Sequence, residues 1–300
     1  MTQNWTKLPE RGSRFWLQTI VWLALNIGRE AARILLYPIS AFFLLLAKQP
    51  RLASQAYLAK LENKPAGWLD AFRHYHTFAE TILDRVFVFA GRSDFLELDV
   101  QGFDLLQVQL DKGEGCLLLG AHFGSFELLR GLGLTRQHLP IKALVYQDNS
   151  PTVRTLFQRL NPGLAAQVIN IGAADSLVGI DQHVSQGGML AILGDRNVLL
   201  GGKRVRCEFL GEPAWFPTAP TLLAHLLKVP VILFYCLRLG PGRYAIRFER
   251  FAERIELPRQ DRDAAITDWV RRYTAKLEQH CRLAPYNWFN FYDFWSQEHA

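Results

Sequence analysis

The sequence predicts an α/β fold, a mostly parallel sheet flanked by helices and preceded by an apolar helical head. Three observations predict it. From residue 97 onward, short β-rich runs alternate with stretches of helix length, the order that lays helices over both faces of a parallel sheet. The run CLLLGA at 116–121 is continuously apolar, as a strand covered on both faces must be. The first 50 residues instead hold two long apolar runs without that alternation. With 300 residues, 49% hydrophobic and 21% charged, and a mean hydropathy of +0.01, the chain has material for a large core and is not disordered.

The head reads FWLQTIVWLALNIG from Phe15 to Gly28, then REAAR, then ILLYPISAFFLLLA from Ile34 to Ala47. Each run falls short of the roughly 20 residues that cross a bilayer as a helix. Arg29, Glu30 and Arg33 interrupt the pair, and Pro38 is expected to bend the second run. Residues 1–60 carry eight basic side chains against two acids, which accounts for the whole net charge of +6. A basic apolar head on a neutral body fits an anionic membrane surface better than nucleic acid. Trp16, Trp22, Phe42 and Phe43 with basic flanks add to this reading. The expectation is therefore a tilted or re-entrant anchor over residues 1–50, contacting headgroups through Arg11, Arg14, Lys48 and Arg51, and a body over residues 51–300. Deleting residues 1–47 is then expected to leave the body folded.

Residues 52–92 read as helices broken at Lys64-Pro65-Ala66-Gly67. His74 and His76, two apart, point to different helix faces and do not make a metal pair. Beyond them LELDV, CLLLGA, IKALVY, QVINI, GMLAILG, RVRCEFL, PVILFYCLRL and RYAIRFERF are the expected strands. Helices are expected at 125–137, 150–160, 174–186, 218–228 and 261–282. Cys116, Cys207, Cys236 and Cys281 lie far apart without zinc-site spacing, which argues against a disulfide framework or a structural metal.

The string Gly120-Ala121-His122-Phe123-Gly124-Ser125-Phe126-Glu127 follows the CLLLGA strand and precedes the helix-like FELLRGLGL. His122 is thereby expected at the carboxyl end of a strand, where open α/β sheets bind ligands. Gly124 permits a tight turn and Ser125 can cap the next helix, leaving Glu127 in its first turn. A His on the turn and a Glu on the helix can converge. An imidazole so held takes a hydroxyl proton while a carboxylate fixes its tautomer. No Gly-x-Ser-x-Gly elbow occurs here, because Phe123 stands at the first glycine position. The nucleophile expected is an alcohol on the substrate.

The string GAHFGSFEL resembles the His-x4-Asp/Glu motif of the glycerolipid and lysophospholipid acyltransferases, and in particular of the bacterial late (secondary) lipid A acyltransferases. YQDNSPTVRTLFQRLNP, LGDRN, FLGEPAWFPT and the closing PYNWF agree with that family in order and spacing. Ser125-Phe126 departs from the usual Asn-Trp, and the tail Asn290-Phe291-Tyr292-Asp293-Phe294-Trp295 resembles members associated with aryl-polyene lipids. The resemblance implies O-acyl transfer from an acyl thioester, acyl carrier protein or coenzyme A, to a lipid hydroxyl. It implies His122 as base and Glu127 as its carboxylate, with no cofactor or metal. The partners implied are acyl carrier protein and a membrane lipid, with the active site on the cytoplasmic face of the bacterial inner membrane. Arg154 or Arg159, with Asp195 and Arg196, is expected to line the same sheet edge, where a guanidinium would hold phosphate or the developing oxyanion. Phe209, Trp215 and Phe216 are expected to form an acyl slot. Thr218 and Pro220 are expected to set a helix start whose amino end cradles an anionic headgroup, with Gly211 and Pro213 of the same block as further substrate-binding positions. Lys203, Arg204 and Arg206 are either a docking surface for the acidic carrier protein or a solvated strand edge. A lipid esterase or thioesterase that uses the same pair on water remains an alternative, as does a non-catalytic membrane adaptor.

Overall fold

The computed structural model describes residues 14–125, 128, 139–146, 160–161, 163, 168–171, 176–196 and 202–296. Helices expected at 125–137 and 150–160 lie mostly outside these residues. Seven strands make one sheet: β1 (Glu97–Gln101), β2 (Cys116–Gly120), β3 (Ile141–Tyr146), β4 (Val168–Ile171), β5 (Met189–Leu193), β8 (Val231–Gly240) and β9 (Arg243–Ala252). Their order across the sheet is β1-β9-β8-β2-β5-β3-β4. Every pairing is parallel except β8 with β9. All five residues of β2 are buried, because it lies mid-sheet with both faces covered. Its alternate residues serve two cores. Leu117 and Leu119 join Leu190, Ile192, Leu233 and Tyr235 on one face, whereas Cys116 and Leu118 join Met189, Ala191, Ile232 and Phe234 on the other.

The run RVRCEFL forms a strand but not in this sheet. It becomes β6 (Arg204–Phe209), paired antiparallel with an unexpected β7 (Glu212–Pro217). The two-residue turn Leu210-Gly211 has φ of 54° and 79°, the double positive that suits the twist of a tight hairpin. Leu210 is tolerated in that strained position because its N–H donates to Glu278 at 2.7 Å. Four of the helices are α3 (Lys48–Glu62), α4 (Trp68–Phe89), α5 (Asp104–Lys112) and α6 (Ser176–Ser185), followed by α7 (Ala219–Leu227) and α8 (Arg262–Leu283). Helix α5 was not expected from the sequence, being nine residues long and mostly polar. The last three match the expected stretches within two residues.

The head forms α1 (Arg14–Ile27) and α2 (Arg29–Leu46), which meet at Gly28 with φ 89°. The charged REAAR insert is the first turn of α2 rather than a break, and Pro38 sits inside the helix. Ala32, Leu36, Ser40 and Leu44, spaced by four, face inward; Ala32 and Leu36 pack with Leu83 and Phe87 of α4. The charges are consumed internally: Arg29 pairs with Asp84 at 2.8 Å and Arg33 with Glu80 at 3.1 Å. Arg238 of β8 reaches Glu80 at 2.5 Å, and Tyr244 of β9 donates to Asp84 at 2.7 Å. Ile34, Leu35, Tyr37, Phe42, Leu45 and Leu46 remain exposed on the outer face. Among the described residues no single helix is long and apolar enough to cross a membrane, but α2 and α3, bent by 99°, pass that test together. Arg51 is occupied at this bend. It donates to the Leu44 carbonyl at 2.7 Å and lies 3.9 Å from the Trp68 ring centre, covering the negative end of α2.

Candidate active site

The site grows from the register of two neighbouring strands. Parallel β2 and β5 align Gly120 with Leu193. Continuing that register two residues past both strand ends brings His122 opposite Asp195. His122 Nδ1 lies 2.8 Å from Asp195 Oδ1, and the His122 backbone N–H is 3.1 Å from each carboxylate oxygen. Trp288 Nε1 donates to Oδ2 at 2.9 Å. Asp195 and Trp288 are both 0% exposed, whereas the His122 side chain keeps 30% exposure. Burial by itself pushes the Asp195 carboxyl up. The His122 ring, the Arg196 guanidinium and the Trp288 hydrogen bond outweigh it and hold the group well below the usual carboxylate range. An ionised carboxylate only accepts, so Nδ1 carries the ring proton and the basic lone pair belongs to Nε2.

The turn that carries His122 is built by close backbone approach. Gly124 has φ 58°, and a Cβ there would run into the Cys236 carbonyl oxygen, so only glycine fits. Gly124 N–H donates to the Asn287 carbonyl at 2.7 Å, Ser125 N–H to Cys236 at 3.2 Å, and Phe289 N–H to the His122 carbonyl at 2.9 Å. Asn287 also brackets the Arg238 peptide, accepting its N–H at 2.7 Å and donating to its carbonyl at 3.2 Å. Below the turn, the Tyr273 hydroxyl donates to the Gly120 carbonyl at 2.7 Å.

Asp195 and Arg196 do lie at the same sheet edge as His122. Arg196 donates to the Phe289 carbonyl and stands 5.5 Å from the Tyr292 ring centre, so the Phe289 peptide holds the His122 turn on one side and Arg196 on the other. Glu127, Arg154 and Arg159 lie outside the described residues. Phe209 and Phe216 are fully buried; Phe209 packs edge-on to Trp288 at 5.2 Å and to Phe216 at 5.4 Å. They form the aromatic floor beneath Trp288. Trp215 is half-buried with Arg204 5.4 Å from its ring centre, while Gly211 and Pro213 are exposed at the hairpin end. Thr218 precedes α7, but its hydroxyl goes to the Lys203 carbonyl at 3.0 Å and leaves the helix end uncapped by a side chain.

Sequence reasoning gave no role to Trp288, Asn287 or Tyr273. A signal existed for Trp288 alone, since a tryptophan buried in an aromatic tail needs a partner for its N–H. The pairing is an imidazole with a buried, ionised carboxylate at the carboxyl end of a central strand. It can accept a proton at Nε2 and stabilise the imidazolium that results.

Residues 3–297 match the family described as bacterial lipid A biosynthesis acyltransferase. The chain belongs to that family. Nearly the whole length is covered, so the match includes the apolar head and the aromatic tail as well as the His122 turn, and it makes the chain an acyltransferase of lipid A type. A search of curated proteins returns no match.

Proposed function

We propose that this acyltransferase moves a fatty acyl group from the thioester of acyl carrier protein to a hydroxyl of a lipid A-like or related glycolipid. The reaction is direct transfer at the cytoplasmic face of the inner membrane. The observation that carries the reading is the His122 Nδ1 to Asp195 bond, within a chain of the family. His122 Nε2 takes the acceptor hydroxyl proton, and the alkoxide oxygen attacks the thioester carbonyl carbon. Collapse of the tetrahedral intermediate breaks the C–S bond, and the imidazolium returns its proton to the leaving thiolate. Asp195 holds the ring tautomer and offsets its charge. Glu127, the acid of the family's His-x4-Asp/Glu motif, is assigned as a second carboxylate for the base, and Arg196 with Arg154 or Arg159 supplies positive charge for the oxyanion or a phosphate.

The exposed outer face of α2 supports attachment to a bilayer. Ile34, Leu45 and Leu46 are each more than 60% exposed, beside a bent helix pair of membrane-compatible composition. Lys203, just before β6, and Arg206 on β6 are exposed and suit an acidic carrier protein. The test is transfer of labelled acyl chain from acyl carrier protein to an extracted lipid acceptor. His122→Ala is expected to abolish it with the fold intact. Normal transfer by that variant, or release of free fatty acid at the same rate without acceptor, overturns the reading.

A further inference from the structure

We propose that Trp288 is a positioning residue for the base, acting through Asp195; this rests on the reading of His122 as base. The indole is wholly buried, and its N–H, the side chain's sole polar group, is spent on Asp195 Oδ2 at 2.9 Å. That bond leaves Oδ1 for the imidazole, at 2.8 Å, and fixes the rotation of the carboxylate about its own axis. The Trp288 backbone is held just as firmly. It bridges to Phe123, the residue after His122, and its carbonyl lies 2.9 Å from His74 Nε2. A carbonyl only accepts, so His74 Nε2 carries a proton and His74 Nδ1 accepts from the Ser54 hydroxyl at 2.8 Å. Rings from three directions close round the indole: Tyr57 at 5.0 Å, Phe209 at 5.2 Å and Phe294 at 4.9 Å. The tail therefore delivers one fixed donor to the carboxylate that orients the base.

The indole bond also draws electron density from the carboxylate that faces the imidazole. Without it, Oδ1 becomes a stronger acceptor for Nδ1–H, which favours the imidazolium and raises the pH at which His122 gives up its proton. Trp288→Phe removes the N–H and keeps an aromatic ring. A stop-codon replacement of Trp288 by benzothienylalanine puts sulfur in place of N–H at nearly constant shape, and serves if the phenylalanine variant does not fold.

The His122 ring is titrated by NMR in the full-length protein in detergent, alone and in the Asp195→Asn background. Acyl transfer is measured alongside as a function of pH. The expected result is an upward move of the His122 titration and of the acid limb of kcat, with kcat lower by about tenfold and KM unchanged. Both effects should vanish when Asp195 is already asparagine, because the partner through which Trp288 acts is gone. An unmoved titration, or equal effects in both backgrounds, overturns the proposal. The NMR arm does not depend on which reaction is catalysed, so a protein that shows the coupled titration but no acyl transfer refutes the proposed function and not this inference.

Discussion

Asp195→Asn replaces one carboxylate oxygen with NH2, and the surrounding donors decide which. The Trp288 indole at 2.9 Å from Oδ2 can only donate, so the remaining oxygen must face it. The new NH2 then faces His122 Nδ1 at 2.8 Å and is itself a donor. Two donors cannot share that contact, so Nδ1 gives up its proton and Nε2 takes one. The ring loses its basic lone pair at Nε2, and the imidazolium loses its counter-charge. Loss of a charge-assisted hydrogen bond alone, about 1.5–3 kcal/mol, corresponds to a factor of roughly 10–100. A wrong tautomer in a triad costs about 10⁴. Turnover should fall by about 10²–10⁴-fold, with KM for donor and acceptor little changed. The fold should lose about 1–3 kcal/mol, so thermal unfolding has to accompany the rate measurement. The assay is initial-rate transfer of a labelled acyl chain at saturating substrate, corrected for the folded fraction. Turnover within about threefold of the parent, with a normal melting transition, would falsify the assignment of Asp195 as the orienting carboxylate.

Arg29→Ala should cost about 3–5 kcal/mol, because it leaves the fully buried Asp84 without its cation; Arg272→Ala, at an exposed pair with Asp268, should cost less than about 1 kcal/mol in the same denaturant titration. By the same argument, deletion of residues 1–47 should unfold the body rather than release it, contrary to the simple expectation of a detachable anchor, and a cooperative melt of the truncated chain would refute this. Burial of His74 lowers its pKa from 6.5 to about 4, the Trp288 carbonyl opposing the shift; the ring stays neutral in the fold, so its contribution is complete above pH 6.5 and lost as pH falls towards 4. That loss amounts to about 3 kcal/mol and should disappear from the stability difference between the parent and His74→Gln across this window. Gly124→Ala forces a side chain against the Cys236 carbonyl at φ 58° and should cost about 2 kcal/mol or more with loss of turnover, read by melting and by rate. High salt should leave the protein on membranes and detergent should release it, since apolar burial outweighs the roughly 1 kcal/mol per basic residue at an anionic leaflet; release by salt alone, followed by sedimentation, would contradict the membrane reading.

Local pattern was enough to place His122 at the end of β2. A run of four apolar residues followed by Gly-Ala-His and a turn glycine is a contiguous signal, and strand, turn and buried faces depend on neighbours in the chain. The eight expected strands formed for the same reason, and the helices at 174–186, 218–228 and 261–282 follow from their periodicity. Contiguity does not say which strands become neighbours. The sequence puts β3 next after β2, yet the sheet seats β2 between β5 and β8, and only that adjacency carries Asp195 to His122 across 73 residues. Trp288 arrives from the other end of the chain, brought by the tail that bridges Phe123. Tertiary structure also decided the use of Arg29 and Arg33: in the sequence they read as the charged gap between two lipid-facing runs, and in the fold they neutralise Asp84 and Glu80 of α4. A buried charge must be matched by another in space, and the partner's position along the chain is fixed by packing, which no local spacing records.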